Sequence, residues 1–296
     1  MNRSILHPRL NLLVNGRPSI RMMILAIILV SVLCSVILYV ALHPVPIVLM
    51  FHSITDDRDG DSPDISPSRF RAVVTQVARR ATEIEITTDR TDSSIYSEFF
   101  RTLQEHGLTA KVFILPLEVG GENMLTWAQI REMDREGFII GSHSLTHAWL
   151  PDLEDEEVAC ELCVSKALIE QQIGHPITTL AYPYGAFDTR VQRIARQCGY
   201  ERAYATAPGR GYPDDDALAI KRVYVNEYSA GNQVLGWLAL SGFSVTVREL
   251  ALSLLPIEIP RKPADWSRDS WIESVKGIES LDRHNPACST MSSVHG

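Results

Sequence analysis

Beyond residue 43, hydrophobic positions fall into two alternating kinds of segment. Short runs rich in β-branched residues read as buried strands: PIVLMF (46–51), EIEITT (83–88), AKVFIL (110–115), FIIGS (138–142), TTLAYP (178–183) and AIKRVYV (219–225). Between them lie stretches of helical period. DSSIYSEFFRTLQEHG ends at Gly107, and TWAQIREMDREG is closed by Gly137. A long helix is predicted from about Glu154 to Ile173, stopped by Gly174, followed by DTRVQRIARQCG and two last helices, GNQVLGWLAL and TVRELALSLL. Repeated strand–helix units with buried strands imply an α/β fold built on a parallel sheet or barrel. The units run without a break, so one domain is expected from about residue 44 to 256. The stretch 257–296 is rich in Pro, Ser and charge and reads as a C-terminal extension, peripheral or disordered.

A different pattern precedes this domain. MMILAIILVSVLCSVILYVAL (22–42) is 21 residues without a charge. As a helix rising 1.5 Å per residue it would be about 31 Å long, enough for the hydrocarbon core. The apolar region of a cleaved signal peptide is normally shorter, and no small-x-small cleavage site stands near Ala41. Arg3, Arg9, Arg17 and Arg21 all precede the segment, and residues 1–43 contain no acid. The positive-inside rule then predicts a cytoplasmic 1–21 segment, a single-pass anchor at 22–42 and a main domain outside the cytoplasm. Charge sharpens the division. The chain carries 28 basic and 36 acidic residues, a net of −8, so the part after the arginines holds 24 against 36, a net of −12. Such an acidic body is a poor partner for nucleic acid, whose phosphates call for clustered Lys and Arg. No protein partner is predicted.

In parallel α/β folds ligands bind at the carboxyl ends of the strands. Four clusters occupy those positions: Phe51-His52-Ser53, Thr87 to Asp92, GSHSLTH with His143 and His147, and Ala181-Tyr182-Pro183-Tyr184-Gly185. Two histidines four apart share one face of a helical turn and could share a metal, although an isolated H-x-x-x-H is a weak signal. Asp89 could serve as ligand or general base, or cap a helix, a duty for which Asp92 is better placed. His52 is open to two readings, a packed strand-end histidine or a proton donor. Cys160 and Cys163 fall on the apolar stripe of their helix with Val158 and Leu168, which favours packing over redox or metal chemistry; Cys198 and Cys288 look isolated.

The stretch TWAQIREMDREGFIIGSHSLTHAWL, then a long helix, then LAYPYGAFDTRVQRIARQCGYERAYAT, resembles the polysaccharide deacetylases, carbohydrate esterase family 4 with its NodB-homology domain. VLMFHSI resembles the Y-H-S-x that opens one branch, and the likeness covers about residues 46–226. It implies a distorted (β/α) barrel of about seven strands and a divalent metal, zinc above all, held by one Asp and two His. The reaction implied is hydrolysis of N-acetyl groups on a polysaccharide. Position by position, His143 and His147 match the metal-ligating histidines, and Asp89 matches the general base. Tyr182, Pro183, Tyr184 and Gly185 match the segment lining the groove, with the Tyr184 N–H as oxyanion donor. Trp149 matches no assigned position. Two departures stand out. The family's T-F-D-D-G is Thr87-Thr88-Asp89-Arg90-Thr91 here, so the metal-binding Asp is Arg90, which has no lone pair for a metal. The Leu–His motif that supplies the acid is missing, which points to His52. The alternative to an enzyme is a catalytically inactive glycan-binding protein that keeps the groove.

Overall fold

Period-two alternation along the short strands turns one set of side chains to the helices and the other inward, to the interior of a nearly closed barrel. In the computed structural model the described residues are 13–14, 17–18, 20–42, 47–56, 64–79, 84–205, 216–231 and 262–276. The chain divides into two compact units, residues 1–45 and 46–296.

In the first unit the uncharged run is helical: Ile20–Leu42 (α1) spans 23 residues. Several of its side chains lie outside the described residues, and no membrane-spanning helix is identified among the described ones.

The second unit is built on strands Ile47–Phe51 (β1), Ile84–Thr88 (β2), Lys111–Ile114 (β3), Ile139–Ser142 (β4), Thr179–Ala181 (β5), Arg202–Ala205 (β6), Ile220–Lys221 (β7) and Val223–Tyr224 (β8). All pair in parallel, in the order β8-β1-β2-β3-β4-β5-β6-β7. The outermost strands β7 and β8 are consecutive in the chain, separated by Arg222 alone. The run 219–225, expected as one strand, thus pairs with β6 on one side and β1 on the other and brings the sheet nearly into a closed barrel. Counted that way the sheet has the seven strands the resemblance implies.

Helices cover the outside: Pro67–Ala78 (α2), Ile95–Phe100 continuing into Arg101–Glu105 (α3), Trp127–Arg135 (α4), then Asp155–Ala159, Cys160–Val164 and Ser165–Ile173 as one long helix (α5), and Thr189–Gln197 (α6). The middle segment of α5 is a widened π turn. Glu227–Gly231 (α7) and Arg268–Lys276 (α8) complete the described helices. Leu49, Ile86, Val112, Ile140 and Leu180 face this helical layer and form the main core. Val48, Phe113, Ala181 and Tyr204 fill the barrel interior. Gly141 is needed there, because a Cβ at this position would come within 2.6 Å of the Phe113 ring.

Three expectations are corrected. Residues 262–276 of the C-terminal extension are packed, with Trp271 and Val275 of α8 buried in the main core. Cys163 and Cys198 are not independent packing residues but form a disulfide between α5 and the end of α6. Strand β6 and helix α2 occur where no element was expected. The helices expected over 231–240 and 246–255 lie outside the described residues.

Candidate active site

Inward parity carries the site residues to the carboxyl mouth of the barrel. On β2 the inward positions are Glu85 and Thr87, and Asp89 continues them just beyond the strand end; Thr87 Oγ1 donates to the Leu49 carbonyl at 2.9 Å. Asp89 is almost fully buried. Its Oδ2 accepts from Arg222 Nη2 at 2.8 Å, and its Oδ1 lies 3.2 Å from His52 Nε2 without a hydrogen bond. Burial alone would push the Asp89 carboxyl up. The Arg222 guanidinium, then His52 and His143, outweigh it and hold the group well below the usual carboxylate range.

Arg222 was not singled out from the sequence. It sits at the barrel seam with none of its side chain exposed, and its Nε donates to the Ala205 carbonyl at 3.3 Å. An Arg inside a β-branched strand is itself the signal that could have found it, since a buried guanidinium demands a carboxylate partner.

His143 and His147 come together, with ring centroids 4.8 Å apart. His143 Nδ1 lies 2.8 Å from the Ala181 carbonyl. A carbonyl can only accept, so Nδ1 carries the proton and Nε2 keeps its lone pair. Burial pushes His143 down to about 3 and His147 down to about 4, with Asp89 opposing both. Both imidazoles are therefore neutral near pH 7. His52 is also pushed down by burial, against the pull of Asp89, and its ring packs on Tyr224 at 4.9 Å.

Tyr182, Pro183, Tyr184 and Gly185 form a tight turn beside the histidines. Gly185 and Ala186 donate to the Tyr182 and Pro183 carbonyls, while Tyr184 takes φ 58° and ψ 4°. The Tyr184 N–H is not used in closing that turn. The Tyr184 ring meets His147 edge-on at 4.4 Å and Trp149 at a tilt at 5.7 Å, so Trp149 forms the outer wall. Left-handed backbone recurs here: Ser144, His147 and Tyr184 all have positive φ. Each non-glycine residue in that region costs about 1–2 kcal/mol, which neighbouring contacts must offset.

The Asp-His-His metal set implied by the resemblance does not fit these residues. Arg90 stands where the second Asp would be; its side chain is 51% exposed and faces Asp92 at 3.4 Å. Asp92 accepts from Ser53 Oγ, Ser94 Oγ and the Ser94 N–H, the helix-start duty expected of it. Asp89 is engaged by Arg222. Among the described residues, no three His, Cys, Asp or Glu side chains are arranged to hold a metal ion. What remains is a pair of neutral imidazoles next to a charged, half-hydrogen-bonded carboxylate.

The family model for polysaccharide deacetylase matches residues 76–203. YxkH of Bacillus subtilis (strain 168), assigned as a polysaccharide deacetylase, is 25% identical over 203 residues, which is 62% of this chain and 73% of the relative. BC0361, a polysaccharide deacetylase of Bacillus cereus, superposes with a TM-score of 0.56 and 27% identity over 66% of this chain and 68% of its own. The deacetylase PplD of Streptococcus pyogenes, solved with acetate, shares the fold with a TM-score of 0.59 at 19% identity, over 66% of this chain and 98% of its own. The family match takes in Asp89, both site histidines and the Tyr182–Gly185 turn, and leaves out His52 and Arg222. With motifs in order, barrel and relatives in agreement, residues 76–203 match the polysaccharide deacetylases, and the comparisons support a deacetylase hydrolase.

Proposed function

We propose that the protein is a membrane-anchored deacetylase that removes N-acetyl groups from an extracytoplasmic polysaccharide. The observation that carries this reading is the convergence of a buried carboxylate with one free oxygen, three histidines and a strained Tyr184 turn at one barrel mouth. A water attacks the acetyl carbonyl and gives its proton to Asp89 Oδ1, while the tetrahedral oxyanion accepts the Tyr184 N–H. The carbon–nitrogen bond then breaks. His52, 3.2 Å from Asp89, is placed to return the proton to the departing amine, and acetate leaves. His143 and His147 orient the water and the acetyl group with their neutral rings. No step is assigned to zinc or another divalent metal, because the family's third ligand is missing.

The uncharged run 22–42 preceded by four arginines supports anchoring with the N-terminus in the cytoplasm. The Cys163–Cys198 disulfide supports an oxidising compartment for the domain. The missing third ligand favours one other reading, an inactive glycan-binding protein.

Acetate release from acetylated chitooligosaccharide and poly-N-acetylglucosamine by the detergent-solubilised full chain, with bound zinc measured in parallel, separates the two. Release by the wild type, lost in His143→Ala, is expected. No release by the wild type together with release by Arg90→Asp would establish the binding reading instead.

A further inference from the structure

The segment that carries both site histidines has every one of its amides engaged, and the engagement runs through one carboxylate outside the site. His143 N–H donates to the Ile114 carbonyl, Ser144 N–H to Ser142 Oγ, and His147 N–H to Ser144 Oγ. The two amides between, of Leu145 and Thr146, both donate to Glu161 Oε2, at 2.9 and 3.0 Å. Glu161 is completely buried. Its other oxygen, Oε1, accepts from the Thr146 hydroxyl and from the Trp271 indole N–H, the latter at 2.6 Å.

A buried carboxylate is expensive unless its lone pairs are used, and these are used by the loop and by α8. The helix around Glu161 is built to hold it still. The π turn 160–164 carries it, and Leu162 in the same turn accepts through its carbonyl from the Ser165 and Tyr200 hydroxyls. Cys163, two residues on, is bonded to Cys198. From the other side, Arg268 of α8 grips Glu157 with two hydrogen bonds of 2.8 Å, which seats Trp271.

We propose that Glu161 is the positioning residue of the histidine pair. It pins the two amides between left-handed Ser144 and left-handed His147, and α8, from the C-terminal extension, completes it through Trp271. Glu161 touches neither substrate nor imidazole; it fixes where the imidazoles stand. The inference rests on the proposed deacetylase reading for its kinetic consequence, and on the hydrogen bonds alone for its structural one.

The test compares Glu161→Ala, Glu161→Gln and Trp271→Phe in the detergent-solubilised full chain. Glu161→Ala is expected to lower kcat for acetate release about 100-fold, the scale on which misplaced catalytic groups act, with KM within threefold of wild type. Glu161→Gln keeps an oxygen for the two amides and is expected to recover at least tenfold of that loss. Trp271→Phe removes only the indole donor and is expected to lower kcat about fivefold.

Hydrogen exchange at Leu145 and Thr146 should speed up in Glu161→Ala and return towards wild type in Glu161→Gln. The imidazole resonances of His143 and His147 should follow the same order. Exchange and resonances unchanged in folded Glu161→Ala would overturn the proposal, as would a kcat within twofold of wild type. If Glu161→Ala does not fold, Trp271→Phe decides: unmoved histidine resonances and an unchanged kcat overturn the proposal. A wild type that releases no acetate sinks the functional reading alone, since exchange and resonances still report on Glu161.

Discussion

Glu85 and Asp89 lie four residues apart and share the inward parity of β2, one at each mouth of the barrel, and each keeps one oxygen without a hydrogen bond. Their surroundings differ. Glu85 meets Lys111 Nζ at 2.6 Å and Arg202 at 3.8 Å, with 27% of its side chain exposed. Long, partly solvated cations neutralise it, one from the adjacent strand β3 and one from β6, which is not adjacent in the sheet. Asp89 has 3% exposure and, among the described residues, a single cation paired with it, Arg222, which is itself fully buried, and its free oxygen faces His52. A carboxylate between cations becomes a plug. The same group beside neutral imidazoles becomes a proton acceptor with somewhere to pass the proton.

The sharpest way to break the comparison is Asp89→Asn. The amide oxygen can still accept from Arg222, although the buried guanidinium loses its counter-charge and stability falls, while proton transfer is lost. A fall of about 10²–10⁴-fold in acetate release is expected, measured beside the thermal midpoint. Activity within threefold of wild type would remove Asp89 from the base role. Next in size is Arg222→Met, which leaves Asp89 buried without its cation. Removing one partner of such a pair costs about 3–5 kcal/mol, readable as a lower urea midpoint. With the guanidinium gone, burial raises the Asp89 pKa, so the acid limb of the kcat/KM profile should move to higher pH.

These two residues also show what was legible in the sequence. Asp89, His143, His147 and Tyr184 stand at strand ends inside recognisable motifs, and strand order alone brings them to one mouth. Arg222 lies in a one-residue gap where one predicted strand serves both edges of the sheet, and no local pattern announces a barrel seam. The disulfide partner Cys198 is 35 residues from Cys163. Their meeting depends on how α5 and α6 pack, which periodicity does not encode. Helix α8 was hidden by composition: its polar face dominates, and Trp271 and Val275 are too few to mark a core-facing stripe. Glu161 looked like one more acid on a helix until the π turn directed it inward.

The histidines give the next effect, in metal-free protein. Both are held below the ordinary value of 6.5, His143 to about 3 and His147 to about 4, chiefly by burial. Between those values and 6.5 the unfolded chain binds protons that the folded one does not, so stability rises with pH there and falls on acidification. Each histidine contributes a slope of about 1.4 kcal/mol per pH unit. From pH 6 to pH 4.5, with chelator present, the pair should cost about 4 kcal/mol in urea unfolding. His143→Asn with His147→Asn should flatten that slope. Asp89 adds nothing in this window, because its depressed pKa keeps it ionised in the folded state; its stabilisation is present above the unfolded carboxyl value of about 4 and is lost only at more acid pH.

Glu85→Gln is the smallest effect and the control on the whole contrast. Lys111 and Arg202 reach solvent once released, so the loss should be about 1 kcal/mol or less, with acetate release within twofold of wild type. The two carboxylates are joined by one strand and one inward face, and Phe113 and Tyr204 pack the interior between them. If Glu85→Gln cut activity as deeply as Asp89→Asn, the amino mouth would be setting the register of Asp89 against Arg222. The plug would then be part of the catalytic geometry. A change confined to the urea midpoint places the boundary between stability and chemistry inside the barrel, within the five residues from Glu85 to Asp89.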